Sequence, residues 1–411
     1  MKAEFAGWHV LAEFSGVDPA LCDDPGRLES ALRASLTEAG ATLCDVVHKK
    51  FDPGGVTVLA LLSESHASIH TYPESGDIFV DVFTCGDGDQ AAKAVEFLRN
   101  ALSPGQVRAQ SVRRGHAAQR ITEPVGAGLT RVWHLHEVVA DTHTAYQHVV
   151  IARTEQGIGL FCDGDRQSTE LSQLTYHEAL LVPAFVLAEK LDTVLIIGSG
   201  EGVASQMSVA AGATHVDHVD IDRRAVELCA RHLPYGYTVD ELAAAVEGTG
   251  PIAMHYADGW DFLATAERSK TRYDVIVIDL PDERVEHAQH NRLYEVHFLS
   301  RCRSLLAPGG VLGAQAGCAA AWRNETLKRS WQRFHEQFDT VVHYGSDEHE
   351  WSFLFGSVDT IDNPVAGMRD RLALLPYKAT TIDARALIRG AIEPHALRAA
   401  ENGRARKGTF T

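Results

Sequence analysis

One short stretch of the chain groups many side chains that can act as nucleophiles or move protons. It reads LSESHASIHTYPE at residues 62–74, and DVFTC follows at residues 81–85. Serine and cysteine supply hydroxyl and thiol groups, whereas histidine and glutamate exchange protons near neutral pH. A single serine near a histidine is more typical of a solvated turn, and a single cysteine more typical of a packed core. The density of such residues after one apolar run favours a chemical role.

A second group of candidate residues follows apolar runs later in the chain. GSGEG occupies residues 198–202, directly after TVLII at 193–197, and Asp220 and Asp222 end the next apolar run. Glycines at such a turn let a backbone approach a ligand at a helix N-terminus, and an acidic residue about 20 positions on suits a ribose hydroxyl. This pattern alone fits several nucleotide cofactors, including that of a dehydrogenase. Further polar residues follow later runs: Asp258, Gly259, Asp279, Asp282 and Gln315.

The elements around the first group alternate between strand and helix patterns. We predict strands at 8–14, 42–48, 56–62 and 78–84. Leu28, Leu32 and Leu36 repeat every four residues and predict a helix that Gly40 ends, and 90–102 predicts a second helix. The result is a small sheet with helices packed on it. The basic, polar residues 111–119 are typical of a linker.

The elements around the second group predict a different architecture. Residues 121–163 have the pattern of short strands with turns. From Thr175 onward, helices alternate with apolar strands at 193–197, 215–221 and 273–278. This alternation predicts a doubly wound parallel sheet, in which ligands bind at the carboxyl ends of the strands.

Composition restricts the function further. The chain has 411 residues and a formal net charge of −17, which argues against nucleic acid and anionic membrane as partners. Its seven cysteines include no CxxC pair, which indicates a reducing compartment without a disulfide framework or a structural zinc site. We find no signal peptide and no apolar run of the roughly 20 residues that span a bilayer. We therefore expect a cytoplasmic protein that uses no metal, with a loose tail around Arg404, Arg406 and Lys407.

The first group of residues resembles the prokaryotic S-adenosylmethionine decarboxylase proenzymes. That family carries SESHxSIHT-(aromatic)-PE followed by DVFTCG, and the likeness covers residues 1 to about 113. It implies that the Ser65 hydroxyl attacks the Glu64 carbonyl, that His70 assists as a proton donor or acceptor, and that the chain is cut there. A pyruvoyl group derived from Ser65 remains as the cofactor, forms a Schiff base with the substrate amine and accepts electrons when CO₂ leaves.

The same resemblance implies roles for four further residues. Cys85 returns a proton to the substrate α-carbon. Phe51 and Tyr72 stack the adenine, and Glu74 holds the ribose or sulfonium region.

The second group resembles the spermidine synthases over residues 125 to about 400. A glycine turn with an acidic residue, then Asp-Gly, then Asp-x-x-Asp follow in that family's order, with Tyr146-Gln147, Gln167 to Glu170 and Tyr176 to Glu178 upstream. The resemblance implies transfer of an aminopropyl group from a sulfonium to an amine that Asp279 orients and helps to deprotonate. It also implies which residues bind the nucleoside and the sulfonium arm: Gln147, Gln167, His177, Gly198, Gly200, Glu201, Asp220, Asp258 and Gly259. The residues that it implies for binding the acceptor amine are Tyr176, Asp279, Asp282 and Gln315.

Several positions depart from the second family's pattern. Glu201 stands where the family has Asp, Val182 where a histidine precedes Pro183, and Glu283 where a proline follows the Asp-x-x-Asp run. The family's Tyr-Pro-Ser-Gly stretch is replaced by residues 343–351. The acceptor therefore stays open: putrescine is the default, with agmatine, cadaverine or a longer amine as alternatives.

Together the two resemblances imply an α/β chain that makes a polyamine in consecutive steps. We expect a small α+β sandwich decarboxylase domain at 1–115, a linker at 116–124, a small β domain at 125–185 and a methyltransferase-like Rossmann domain at 186–400. Its partners are small molecules, with at least a homodimer because related decarboxylases form homodimers. Two alternatives remain: a decarboxylase for arginine or ornithine, or a second half that is a degenerate polyamine-binding module.

The resemblance predicts a cut chain. Intact mass of a denatured sample should show Met1–Glu64 and a pyruvoyl-capped remainder of 347 residues (411 minus 64). An uncut chain with unmodified Ser65 contradicts this prediction.

Overall fold

The structure is a computed structural model that describes residues 6–85, 89–115, 119–126, 128–283 and 288–398. Gly86 of the first motif and the tail with Arg404, Arg406 and Lys407 lie outside these residues. The described residues form two compact units. The first runs to Arg120 and includes His134–Glu137, and the second comprises the described residues from Ile121 onward except those four. The four-part domain division stays a prediction, although the boundary between Arg120 and Ile121 falls inside the stretch expected as a linker.

The N-terminal unit is an antiparallel sheet with helices on one face. Its elements are β1 (Ala6–Ser15), α1 (Pro19–Cys22), α2 (Pro25–Glu38), β2 (Leu43–Lys50), β3 (Val56–Leu62), β4 (Ser65–Tyr72), β5 (Asp77–Cys85), α3 (Asp89–Leu102) and β6 (Gln106–Gly115). Among the described residues the sheet has six strands in the order β2-β3-β4-β5-β1-β6. Alternate strand residues such as Val58 and Ile69 pack against Leu28, Leu32 and Leu98 of α2 and α3.

Two strands of this unit were not predicted. β4 carries the serines and histidines of the first motif, and its polar outward positions hide the inward alternation of Ala67, Ile69 and Thr71. β6 is an edge strand with mostly exposed side chains, so it lacks an apolar pattern. The expectation of a linker from residue 111 was therefore wrong for residues 111–115, which pair with β1.

The chain continues through strands, a long apolar helix and a large sheet. The strands before that helix are β7 (Gln119–Gly126), β8 (Leu129–Leu135), β9 (Glu137–His143), β10 (His148–Thr154), β11 (Gly157–Cys162) and β12 (Asp165–Thr169). The remaining strands are β13 (Thr193–Gly198), β14 (His215–Asp220), β15 (Ile252–Tyr256), β16 (Tyr273–Asp279), β17 (Leu306–Cys318), β18 (Thr340–Gly345) and β19 (Trp351–Ser357).

The helices of this part lie between its strands. They are α4 (Gln173–Leu187), α5 (Val203–Ala210), α6 (Arg223–His232), α7 (Val239–Glu247), α8 (Gly259–Ser269), a 3₁₀ helix (Gln289–Tyr294), α9 (Val296–Leu305), α10 (Glu325–Gln337), α11 (Pro364–Leu372) and α12 (Ala384–Gly390). None of the helices in the described ranges is long and apolar enough to cross a membrane.

The large sheet confirms the predicted doubly wound architecture. Within the described chain its order is β15-β14-β13-β16-β17-β19-β18, with the first five strands parallel and the last two antiparallel to their neighbours. β16 is buried at every residue, as expected for a parallel strand covered on both faces. The strand order reverses beside β13, so the carboxyl ends of β13, β14 and β16 border one crevice.

Two glycines allow close packing at this crevice. Gly198 has φ of +86°, and a Cβ there would lie 2.1 Å from the Asp279 carbonyl oxygen. Gly202 has φ of +88° and would place a Cβ 2.3 Å from the Tyr237 ring. Only glycine fits either position without displacing its neighbours.

The core of the large sheet predicts a clear stability effect. Phe298 of α9 is fully buried and stacks near Trp260, with ring centroids 5.6 Å apart. We expect Phe298→Ala to lower the free energy of unfolding of this unit by about 3–5 kcal/mol in denaturant titrations. Leu374→Ala, at an 80% exposed position, is the control and should change it by less than about 0.5 kcal/mol. Equal effects of the two substitutions contradict the packing described here.

Candidate active sites

The two-residue turn between β3 and β4 brings together the backbone and side chains of the first motif. Glu64 has φ of +63°, a left-handed conformation that non-glycine residues rarely adopt. The Cys85 thiol donates to the Glu64 carbonyl oxygen at 3.0 Å, and the Cys85 N–H donates to Ser65 Oγ at 3.1 Å. Cys85 at the end of β5 therefore contacts both residues of the Glu64–Ser65 peptide.

Within one chain, His70 lies too far along β4 from Ser65 to exchange a proton with it. Five residues of extended strand separate it from Ser65, which is about 16 Å. It lies on the outward face of the sheet, and its Nδ1 hydrogen bonds to Thr57 Oγ1 at 2.8 Å. Thr57 is a residue that the sequence analysis missed, because only the β3–β4 register shows that it pairs with His70.

The residues expected to hold the nucleoside lie at the opposite end of β4 from Ser65. Tyr72 ends the strand, about 23 Å along it from Ser65, and Glu74 follows in the next turn. Phe51 lies in the loop that closes on Gly55, with Phe51 N–H donating to the Gly55 carbonyl at 2.9 Å. All three side chains are exposed. A single copy of this unit therefore does not bring Phe51, Tyr72 and Glu74 to the Glu64–Ser65 peptide.

One side-chain group in the described part of this unit has spacing compatible with a metal ion. Ligand atoms of His9, His66 and Asp81 lie within 4.8 Å of one another on the outward face. Their hydrogen bonds account for the arrangement: Arg114 donates to His9 Nδ1 at 3.3 Å, so that Nε2 carries the proton and donates to Asp81. We treat this group as a hydrogen-bonded cluster.

The crevice of the large sheet is a cavity of about 400 Å³ at the carboxyl ends of the parallel strands. Eleven predicted site residues line it, and two others, Asp282 and Gln315, lie beside it. The eleven are Gln147, Gln167, Tyr176, His177, Gly198, Gly200, Glu201, Asp220, Asp258, Gly259 and Asp279.

Asp279 is a buried carboxylate at the end of β16. The Tyr176 hydroxyl donates to Asp279 Oδ1 at 2.5 Å. Burial raises the pKa of Asp279 above its ordinary value, against the opposing effects of His177 and the Tyr176 hydrogen bond. Burial and the Asp279 charge in turn raise the pKa of Tyr176 well above the ordinary value. No Lys or Arg pairs with Asp279 among the residues the structure describes, so the carboxylate is available to a cationic ligand.

Glu201 and His177 form a second charged pair in the cavity. His177 Nε2 lies 3.4 Å from Glu201 Oε2, and the Ser168 hydroxyl donates to Glu201 Oε1. Burial alone lowers the pKa of His177, but the nearby Glu201 carboxylate outweighs it and raises the pKa. Glu201 thus occupies a cavity position despite standing where the resembled family has aspartate.

Asp220 and its neighbours form the wall beside β14. Burial raises the pKa of Asp220 to about 7, with a further contribution from the charges of Asp222 and Asp279. Gln147 donates to Asp222 Oδ2 at 3.0 Å, and the Asp222 N–H donates to Asp220 Oδ1 at 2.8 Å. A cation bound here would favour ionised Asp220.

Asp258 and Gln167 are engaged by residues of the chain itself. Asp258 caps α8 through the Trp260 N–H at 2.8 Å, and Arg292 pairs with its other oxygen. The Gln167 amide donates to the Asp165 carbonyl at 3.2 Å. The roles expected for Asp258 and Gln167 stay predictions.

Asp282 and Gln315 lie together beside the cavity. Gln315 donates to Asp282 Oδ1 at 3.2 Å, and Arg323 lies 3.3 Å from Asp282 Oδ2. Burial raises the pKa of Asp282, while Gln315 and Arg323 oppose the rise. Arg323 is a second residue that the sequence analysis missed, because its position before α10 carries no motif.

The stretch that replaces Tyr-Pro-Ser-Gly packs against the same region. Tyr344 is buried in β18, and His349 in the following loop lies beside Tyr176 with ring centroids 5.2 Å apart. Burial and the Arg166 charge lower the pKa of His349 to about 3, so this imidazole is neutral at physiological pH. His349 therefore covers Tyr176 without adding charge.

Comparison with known proteins assigns both parts of the chain. Residues 8–115 match the S-adenosylmethionine decarboxylase family model, and residues 173–345 match the spermine/spermidine synthase domain. An S-adenosylmethionine decarboxylase proenzyme of Parasynechococcus marenigrum (strain WH8102) is 43% identical over 122 residues, covering 29% of this chain and 95% of the relative. A polyamine aminopropyltransferase of Prochlorococcus marinus (strain MIT 9313) is 32% identical over 230 residues, covering 54% and 76%.

A solved structure agrees with the larger assignment at the level of fold. Spermidine synthase from Thermotoga maritima superposes with a TM-score of 0.58 at 18% identity, over 70% of this chain and 94% of that one. Both resemblances drawn from the motifs are confirmed. The chain belongs to the S-adenosylmethionine decarboxylase proenzymes through its N-terminal part and to the polyamine aminopropyltransferases through its C-terminal part.

Proposed function

We propose that this chain cuts itself at Glu64–Ser65, decarboxylates S-adenosylmethionine and transfers the resulting aminopropyl group to an amine, with putrescine as the default acceptor. The products are spermidine and methylthioadenosine. The observation that carries the first step is the contact of Cys85 with both Glu64 and Ser65. The fusion supports the whole sequence, because the product of the first part is the donor for the second.

The geometry of the turn supports self-cleavage by the following route. The Ser65 hydroxyl attacks the Glu64 carbonyl carbon, the C–N bond breaks, and the proton passes to the freed amine. The Cys85 N–H stabilises charge on Oγ during attack, and the Cys85 thiol polarises the Glu64 carbonyl. Elimination then removes the Ser65 α-proton and breaks its Cβ–Oγ bond, which releases Glu64 as a C-terminal carboxylate. The remaining dehydroalanine tautomerises to an imine, and water replaces its nitrogen as ammonia to leave the pyruvoyl group.

The residues around Ser65 fit that group. When formed, it would supply the electron sink that decarboxylation needs. The Cys85 thiol, held at the same place by β5, is the proton donor for the substrate α-carbon.

The second step is a displacement at a methylene beside the sulfonium. Tyr176 fixes Asp279, and the carboxylate orients the attacking amine and takes up its proton. Asp220 and Glu201 favour the cationic donor by charge. Positioning therefore supplies most of the rate, since the sulfonium is already a good leaving group.

Two variants separate the two activities. Asp279→Asn should lower polyamine formation by about 100-fold or more while leaving self-cleavage and CO₂ release unchanged. Ser65→Ala should abolish cleavage and CO₂ release but still make polyamine when decarboxylated S-adenosylmethionine is supplied. Labelled-substrate assays with S-adenosylmethionine, arginine and ornithine identify the substrate of the first step. Wild-type polyamine yield in Asp279→Asn contradicts the role of that carboxylate.

We also propose that the N-terminal unit works as a homodimer through the outward face of its sheet. That face exposes large apolar side chains, each at least 43% exposed: Leu11, Val47, Leu59, Leu61 and Phe79. An apolar patch of this kind marks an interaction surface. A second copy would also supply His70, Phe51, Tyr72 and Glu74 to a Ser65 that lies too far from those of its own chain.

Complementation tests this shared site. His70→Ala and Ser65→Ala chains should each stay uncut when expressed alone. Co-expressed, the His70→Ala chain should be cut, because it keeps Ser65 and receives His70 from the Ser65→Ala copy. Cleavage of His70→Ala by itself, or no cleavage in a verified mixed dimer, contradicts the proposal.

A further inference from the structure

Asp282, one of the residues expected to hold the acceptor amine, differs in its charged partners from three carboxylates that line the cavity. Beside Asp279, Asp220 and Glu201 the described chain places no Arg or Lys within ion-pair distance. At Asp282, in contrast, Arg323 lies 3.3 Å from one oxygen and Gln315 lies 3.2 Å from the other. Asp282 is thus already neutralised and hydrogen bonded on both oxygens.

Other carboxylates near Arg323 are also paired with guanidinium groups. Glu350 pairs with Arg166 at 2.5 Å and with Arg131 at 3.0 Å, and Arg131 also lies 3.3 Å from Glu123. Together with the Asp282–Arg323 pair, three guanidinium groups face three carboxylates. Among the described residues, each of these three carboxylates therefore has at least one guanidinium partner.

Arg323 is held firmly in its place. Its guanidinium lies over the Trp351 ring at 4.7 Å, and its side chain is 19% exposed. Its Nη1 is buried and has no hydrogen-bond acceptor among the described residues. A buried donor without an acceptor disfavours an ammonium nearby, because an ammonium only donates.

We propose that Arg323 is a specificity-determining residue that acts as an internal cation at the position of the acceptor's far amino group. This inference rests on the proposed aminopropyl transfer. A diamine must displace Arg323 from Asp282, whereas an amine without a second charge leaves the pair intact. Arg323 therefore penalises a second ammonium, so that putrescine, the default acceptor, binds at the expense of the Arg323–Asp282 pair and less tightly than it would without Arg323.

The direct test compares putrescine with 1-aminobutane, which has the same carbon chain without the second amino group. Removing the guanidinium in Arg323→Gln should raise the ratio of kcat/KM for putrescine to that for 1-aminobutane by roughly tenfold or more, through a lower KM for putrescine. Arg323→Lys keeps the positive charge, so its ratio of kcat/KM values should stay within a few-fold of the wild-type ratio. Lys328→Gln removes an exposed cation of α10 and should leave the ratio unchanged.

The result that overturns the proposal is an unchanged or lower ratio in Arg323→Gln. An equal loss of kcat/KM with putrescine and 1-aminobutane in a folded Arg323→Gln protein overturns it as well, since Arg323 would then only support the structure of the site.

A binding measurement distinguishes failure of the proposed transfer from failure of the role proposed for Arg323. Calorimetric titration of putrescine into enzyme saturated with methylthioadenosine should give a Kd about tenfold lower for Arg323→Gln. If no amine is alkylated but putrescine binds tighter to the variant, the proposed transfer fails and the role of Arg323 stands. Equal Kd values overturn the role of Arg323.

Discussion

The second half of this protein is organised around carboxylates buried where parallel strands end. Asp279 and Asp220 are the last residues of β16 and β14, and Gly198, at the end of the intervening strand β13, packs directly against the Asp279 carbonyl. Burying acids that no Lys or Arg of the described chain pairs with costs free energy, and the raised pKa values of Asp279 and Asp220 reflect that cost. A ligand with a fixed positive charge offsets it. The sheet, the glycine turn and Tyr176 all serve to keep this arrangement in place.

The first half has a different constraint: its predicted site residues lie at opposite ends of one strand and do not meet within a single copy. Ser65 begins β4 and Tyr72 ends it, and the exposed apolar side chains of the outward face lie on the other strands of the sheet. A second copy that covers this face would hide apolar surface and complete the site at once. Stability of the pair and chemistry would then depend on the same surface.

Much of this could be predicted from the sequence, for stated reasons. The apolar runs of β13 and β16 and the glycine turn follow from local pattern, so the doubly wound sheet was predicted. β4 escaped prediction because its outward residues are polar, and β6 because it is an exposed edge. The separation of His70 from Ser65 needed strand geometry. The Arg323–Asp282 pair joins residues 41 positions apart, which no local pattern indicates.

The central claim is that the large cavity recognises positive charge through ionised carboxylates. The direct measurement is calorimetric affinity for decarboxylated S-adenosylmethionine and for neutral methylthioadenosine between pH 6 and 8.5. Asp220, with a pKa of about 7, binds a proton at the acid end of this range and ionises as the pH rises. The account predicts that the cation gains affinity over the neutral ligand by roughly tenfold across this range. A ratio of affinities that stays constant or falls as the pH rises contradicts it.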